Sequence, residues 1–88
     1  MMKLKYNPYH MRYEPAEEDW ELKYNPATGE YQYAPPGAEL TYNPFVGRAT
    51  FIPTAKYNPY TGQYEAVPED WELDYDPFSG LHRYGPKG

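Results

Sequence analysis

The sequence predicts an all-β protein, an array of about five short β-hairpins with a repeat period of 15–18 residues. The array is expected to be thin or extended and to order on a partner. Three observations lead there. Tyr-Asn-Pro recurs at Tyr6, Tyr24, Tyr42 and Tyr57, with Tyr-Asp-Pro at Tyr75. A glycine follows the Asn or Asp by four residues in four of the five copies. The flanks alternate with a period of two, so that Leu22 and Tyr24 share one face before the turn and Tyr31 and Tyr33 share one face after it, as in a strand.

Each copy carries its turn chemistry in a fixed order. Asn7-Pro8, Asn25-Pro26, Asn43-Pro44, Asn58-Pro59 and Asp76-Pro77 open the turns. The Asn or Asp side chain bonds backbone two residues on, and proline presets φ at the first corner. Gly29, Gly47, Gly62 and Gly80 then supply the positive φ that closes a four-residue loop. In the first copy Met11 stands where the glycine should be, which predicts either a different turn or a strained methionine.

The copies divide residues 1–88 into one repeat array with units at about 4–21, 22–39, 40–55, 56–72 and 73–88. Units one and four share an ending: Trp20 follows Tyr13, and Trp71 follows Tyr64, by seven residues after a Glu/Asp run that suits one helical turn or a polar loop. Unit two is the most regular. Unit three is three residues shorter and replaces the strand tyrosines with Ala49 and Phe51, which points to a bend or a change of register. Pro35, Pro53, Pro68 and Pro86 lie ten residues after the Asn or Asp and are expected to stop the return strands. The pattern is compatible both with one continuous sheet and with a string of separate hairpins. Repetition on this scale signals units that cannot each bury their own face.

Composition narrows the function classes. Eight basic residues are scattered among thirteen acidic ones, for a net charge of −5, which argues against a nucleic-acid partner. No cysteine is present, so neither a disulfide framework nor a thiolate metal site is expected. No apolar run approaches spanning length and Met1-Met2-Lys3-Leu4-Lys5 lacks a signal-peptide core, so a cytoplasmic or virion location without membrane contact is expected. Leu, Ile, Val and Phe number only eleven, against twelve Tyr and two Trp. Half or more of the tyrosines are therefore expected to make the core, with the remainder forming an adhesive surface.

Catalytic and metal chemistry finds no pattern here. His10 and His82 lie in different units without a partner at ligand spacing, and Ser79 is the lone serine. The acidic residues Glu69, Asp70, Glu72, Asp74 and Asp76 do not follow calcium-loop spacing and read as a solvated edge. No cofactor, no metal and no enzymatic activity are expected.

Tyr24-Asn25-Pro26-Ala27-Thr28-Gly29-Glu30-Tyr31 and Tyr57-Asn58-Pro59-Tyr60-Thr61-Gly62-Gln63-Tyr64 resemble the tyrosine-rich octamers of the OCRE domain. The resemblance implies a small antiparallel sheet and binding to proline-rich peptides. With Tyr33 and Pro36, the first stretch also resembles the second hairpin of a WW domain. Similar Asn-Pro-x-Thr-Gly segments look like stretches in small structural proteins of tailed phages. OCRE octamers follow one another almost directly, whereas these copies are 15 to 18 residues apart.

The expectation that follows is a non-enzymatic structural or assembly protein that decorates, staples or adapts subunits of a larger symmetric protein assembly, such as a viral particle. The rings expected to dock are Tyr6, Trp20, Tyr24, Tyr31, Tyr33, Tyr42, Tyr57, Tyr64, Trp71 and Tyr75. The alternatives are an OCRE- or WW-like module for proline-rich peptides and, more weakly supported, aromatic shelves for carbohydrate.

Overall fold

Ten short strands pair as five antiparallel hairpins in the computed structural model, which describes residues 2–87. Met1 and Gly88, the two ends of the 1–88 array, lie outside the described residues. The strand pairs are β1(Leu4–Asn7) with β2(Arg12–Pro15), β3(Glu21–Asn25) with β4(Glu30–Ala34), β5(Thr41–Asn43) with β6(Arg48–Thr50), β7(Lys56–Asn58) with β8(Gln63–Glu65), and β9(Glu72–Asp76) with β10(Leu81–Gly85). In each pair the residue before the Asn or Asp faces the residue six after it, as in Tyr24↔Tyr31 and Tyr57↔Tyr64.

The turns follow from the Asn-Pro and glycine positions. The side-chain oxygen of Asn7, Asn25, Asn43, Asn58 or Asp76 accepts from the N–H two residues on, at 2.9–3.1 Å. Where glycine is present, its N–H donates to the carbonyl of the same Asn or Asp at 2.7–2.9 Å, with φ near +75° at Gly29. Met11 adopts φ 53°, so the first turn keeps the left-handed corner and puts a side chain through it. The strands end at or shortly before the prolines: β4 stops at Ala34 before Pro35, and β10 at Gly85 before Pro86.

The hairpins form neither one continuous sheet nor an extended string. They are five separate two-stranded sheets that follow one another around a closed ring, in a molecule measuring 29 × 26 × 21 Å. The radius of gyration is 12.2 Å, the value expected of a compact chain of this length at about 12 Å. Closure brings the fifth hairpin against the first: Lys3 N–H donates to Pro86 O (3.2 Å), Tyr13 stacks on Phe78, and Met2 lies against Gly85.

The core also differs from the expectation that half or more of the tyrosines would fill it. Nine of the twelve are exposed and the other three are only half-buried. The interior is built instead from the segments that leave the return strands. The residue nine after each Asn or Asp is buried in every unit: Ala16, Ala34, Ile52, Val67 and Gly85. Trp20 and Trp71, 8% and 3% exposed, stack across the centre with ring centroids 4.8 Å apart. The Glu/Asp runs before them are single turns, not helices, closed by Trp20 N–H to Glu17 O and Trp71 N–H to Pro68 O. Two indoles on a shared axis supply contact area that few aliphatics are present to supply.

Side chains rather than strand ladders join the hairpins. Asn7, Asn25 and Asn58 donate from Nδ2 to the carbonyls of Tyr31, Ala49 and His82 in the next hairpin at 2.9–3.2 Å. Their second N–H goes to the residue seven on: Glu14, Gln32 or Glu65. All five Asn and Asp side chains are fully buried, so these bonds satisfy groups whose desolvation would otherwise be costly. Lys5 and Lys56 reach the carbonyls of Trp20 and Trp71 while lying over the rings of Tyr33 and Tyr84. The short third unit lacks the turn that the other linkers carry. Asn43 spends its amide on Thr50, Ile52 and Thr54 of its own unit, and Thr54 ties the segment to Val67 O at 2.6 Å.

Candidate functional site

The strand period places the residue before each Asn or Asp on the outside of the ring, one step from the turn. Tyr6, Tyr24, Tyr42, Tyr57 and Tyr75 occupy these five positions and are 44–65% exposed. The residue two after the Asn or Asp sits in the turn and reaches the next hairpin. Tyr9 stacks on Tyr31, Tyr60 on His82 and Phe78 on Tyr13, with centroids 3.9–4.8 Å apart; Phe45 tilts over Tyr64 at 5.5 Å. In every hairpin but the third the outer tyrosine meets the same acceptor ring edge-on, as Tyr24 meets Tyr31 and Tyr57 meets Tyr64, at 5.3 Å.

The result is a triad of rings at four of the five hairpin junctions. At the junction of the second and third hairpins Ala27 and Ala49 replace two of the rings, leaving Tyr42 alone. Because every turn contacts the turn end of its neighbour, all the triads lie on one rim. The five turn segments 8–11, 26–29, 44–47, 59–62 and 77–80 contain no Lys, Arg, Asp or Glu. Acidic residues concentrate in the linkers between hairpins, as at Glu17, Glu18, Asp19, Glu69 and Asp70. The molecule therefore presents an aromatic crown whose turns carry no Lys, Arg, Asp or Glu, with exposed Arg12, Glu30 and Arg48 directly behind three of them.

Of the rings expected to dock, Tyr64 belongs to this crown with the five outer tyrosines, and Tyr31 is its half-buried stacking surface. Tyr33 is half-buried and bridges two hairpins: its hydroxyl donates to Tyr6 O at 2.6 Å, and burial together with the nearby Glu14 carboxylate raises its pKa. Trp20 and Trp71 are in the core and do not face a partner from the outer surface. The sequence reading missed Tyr9, Tyr60, Phe45 and Phe78. Their signal was present, since a large ring follows Asn-Pro or Asp-Pro directly in four of the five copies.

The turn-forming Asn residues do more than shape turns, because three of them also cross-link hairpins. Asp76 cannot donate an amide N–H. It accepts instead from Ser79 Oγ (3.0 Å) and Arg83 (3.4 Å), which takes the place of Glu or Gln seven residues on. Asp76 is thus turned inward, apart from the acidic edge of Glu69 to Asp74.

Inside the ring, the return strands surround a cavity of about 400 Å³ whose lining includes Trp20 and Trp71. Near its wall His10 sits between two carboxylates. Its Nδ1 is 2.7 Å from Glu14, and its Nε2 is 3.3 Å from Glu30 without hydrogen-bonding geometry. Burial alone would push the Glu14 carboxyl up. Hydrogen bonds from His10 and Asn7, the His10 charge and a bond from Arg12 outweigh burial and hold it below the ordinary carboxylate value.

No protein-family model, curated protein or solved structure matches the chain. What the ring does must be read from its own surface. Among the described residues no helix is long and apolar enough to cross a membrane, and no group of three or more His, Asp or Glu side chains converges as a metal site.

Proposed function

We propose that the chain is a non-enzymatic adaptor that docks through its aromatic crown onto protein subunits of a larger, symmetric assembly such as a viral particle. One observation carries the reading: eleven exposed Tyr and Phe rings gathered on one rim whose turns carry no Lys, Arg, Asp or Glu. At about half exposure and roughly 200 Å² per ring, they offer on the order of 1,100 Å². A standard protein interface needs about 800 Å² per partner, and the largest apolar patch on an ordinary monomer is about 300–600 Å². Repetition of the triads suits a partner that repeats its own surface, since linked weak sites gain by effective concentration.

Site-specific photo-crosslinking in the native source tests this. A photoreactive phenylalanine at Tyr60, on the crown, should yield one dominant protein adduct; the same group at Glu69 should yield none. Absence of an adduct at Tyr60, or equal adducts at both positions, overturns the proposal.

The compact, self-closed ring also favours a second reading, an OCRE- or WW-like module for proline-rich peptides. Such a module folds before it binds, and this ring closes on its own contacts. Decaproline added to labelled protein should then shift backbone signals at the crown. No shift at millimolar peptide removes this reading and leaves the first intact.

A further inference from the structure

The chain has three arginines, Arg12, Arg48 and Arg83, and all three line the central cavity. This is unexpected in a protein of net charge −5. The lysines are used differently: Lys5, Lys23 and Lys56 pin linker carbonyls between hairpins. Arginine at one place and lysine at another is a chemical choice, because the guanidinium fork matches a planar carboxylate and an ammonium does not.

The charges around the cavity are unevenly satisfied. The Glu14 carboxylate accepts from Asn7 and His10, and the Glu65 carboxylate from Asn58 and the Tyr84 N–H. Glu30 has His10 beside it. Arg83 is bonded to the buried Asp76 and Arg12 to Glu14, both at 3.4 Å. Among the described residues Arg48 has no carboxylate partner, and its guanidinium donates to Val46 O at 3.5 Å. Of the three cavity arginines, Arg48 is the one that no carboxylate of the described residues engages.

A second donor in the same cavity is also unused. Trp71 and Trp20 are equivalent residues 51 positions apart. The indole N–H of Trp71 donates to Glu17 across the ring at 2.8 Å. The position equivalent to Glu17, 51 residues on, is Pro68, which has no acceptor side chain. Among the described residues the Trp20 indole N–H has no hydrogen-bond partner, and it is not sealed from the cavity that Trp20 lines. A donor that is unpaired and reachable from the cavity is available to a ligand acceptor. Tyr33, Phe51 and Tyr84 add apolar wall, and about 400 Å³ lies within the range of small-molecule sites.

We propose that the central cavity binds a small organic carboxylate, its charge on Arg48, an oxygen reached by the Trp20 indole N–H, and its apolar part against the aromatic wall. Tyr64 belongs to both the cavity wall and the crown, but the site proposed here does not rest on what the crown binds.

Benzoate and its uncharged analogue benzyl alcohol are the probes. Both tryptophans line the cavity and are the only two in the chain, so fluorescence and the two indole N–H signals report binding directly. Benzoate should bind saturably and shift the Trp20 indole signal more than that of Trp71. Benzyl alcohol should bind at least tenfold more weakly. Arg48→Gln should weaken benzoate about tenfold, and Arg48→Lys should recover only part of the loss. The Arg48 side chain is exposed, so the thermal melt of either variant should match the parent. Absence of saturation at 10 mM benzoate, equal binding of the two probes, or unchanged benzoate binding by Arg48→Gln overturns the proposal.

Discussion

The side-chain amide of Asn58 donates to the backbone carbonyl of His82, 24 residues away in the next hairpin, at 2.9 Å. The same amide reaches Glu65 at 2.8 Å, while its oxygen holds the turn through Tyr60 N–H at 2.9 Å. One fully buried side chain thus shapes its own hairpin and fastens it to the next.

Asn58→Ala should therefore cost about 2–4 kcal/mol, since it orphans a buried carbonyl and a carboxylate oxygen together. Asn58→Asp alone should also destabilise, because it sets two carboxylates against each other. Adding Glu65→Arg should recover part of the loss by reproducing the Asp76–Arg83 pair. Urea denaturation of the parent, both single variants and the double variant gives the cycle. Simple additivity would refute the pairing.

Met11 holds φ 53° where the other four turns have glycine. Met11→Gly should stabilise the ring by about 1 kcal/mol, through relief of left-handed backbone strain. For a chain of this size that corresponds to a rise in Tm of roughly 4–8 °C. A lower Tm by calorimetry would show that the Met11 side chain contributes more than its backbone costs.

Closure of the ring depends on the missing side chain at Gly85. A Cβ there would lie 2.6 Å from Met2 Sδ and 2.9 Å from its Cβ. Gly85→Ala should destabilise by about 1–3 kcal/mol through overpacking. Met2→Ala in the same chain should lessen that penalty, because alanine is accommodated at the equivalent Ala16 and Ala34. Equal penalties with and without Met2 would separate the closure from this contact.

Acid should loosen the first junction. The folded-state pKa of Glu14 lies below its ordinary value of 4.5, so the unfolded chain binds its proton first. Its contribution is full above the ordinary value and is lost as pH falls through the lower, folded value. Denaturant midpoints measured from pH 6 to pH 3 should fall for the parent in that window. The fall should be shallower for Glu14→Gln, and equal slopes would contradict the assignment.

Much of this protein is local chemistry, and so it is legible along the chain. Asn-Pro with a glycine four residues after the Asn permits few backbone paths, and period-two flanks permit only strands; the five hairpins with their turns follow. The exposed tyrosine before each Asn follows from the same period. Local pattern does not reveal which face of a hairpin will be covered by the next. The buried residue nine after each Asn or Asp ranges from glycine to isoleucine, and its role is set by neighbours distant in sequence. Ring closure decided the rest. It turned Trp20 and Trp71 from presumed docking rings into the central stack, moved most tyrosines to the surface, and gathered three scattered arginines around one cavity. The physical reason is that a two-stranded hairpin buries almost nothing alone, so the fate of each side chain is fixed by hairpin-to-hairpin contacts rather than by its own strand.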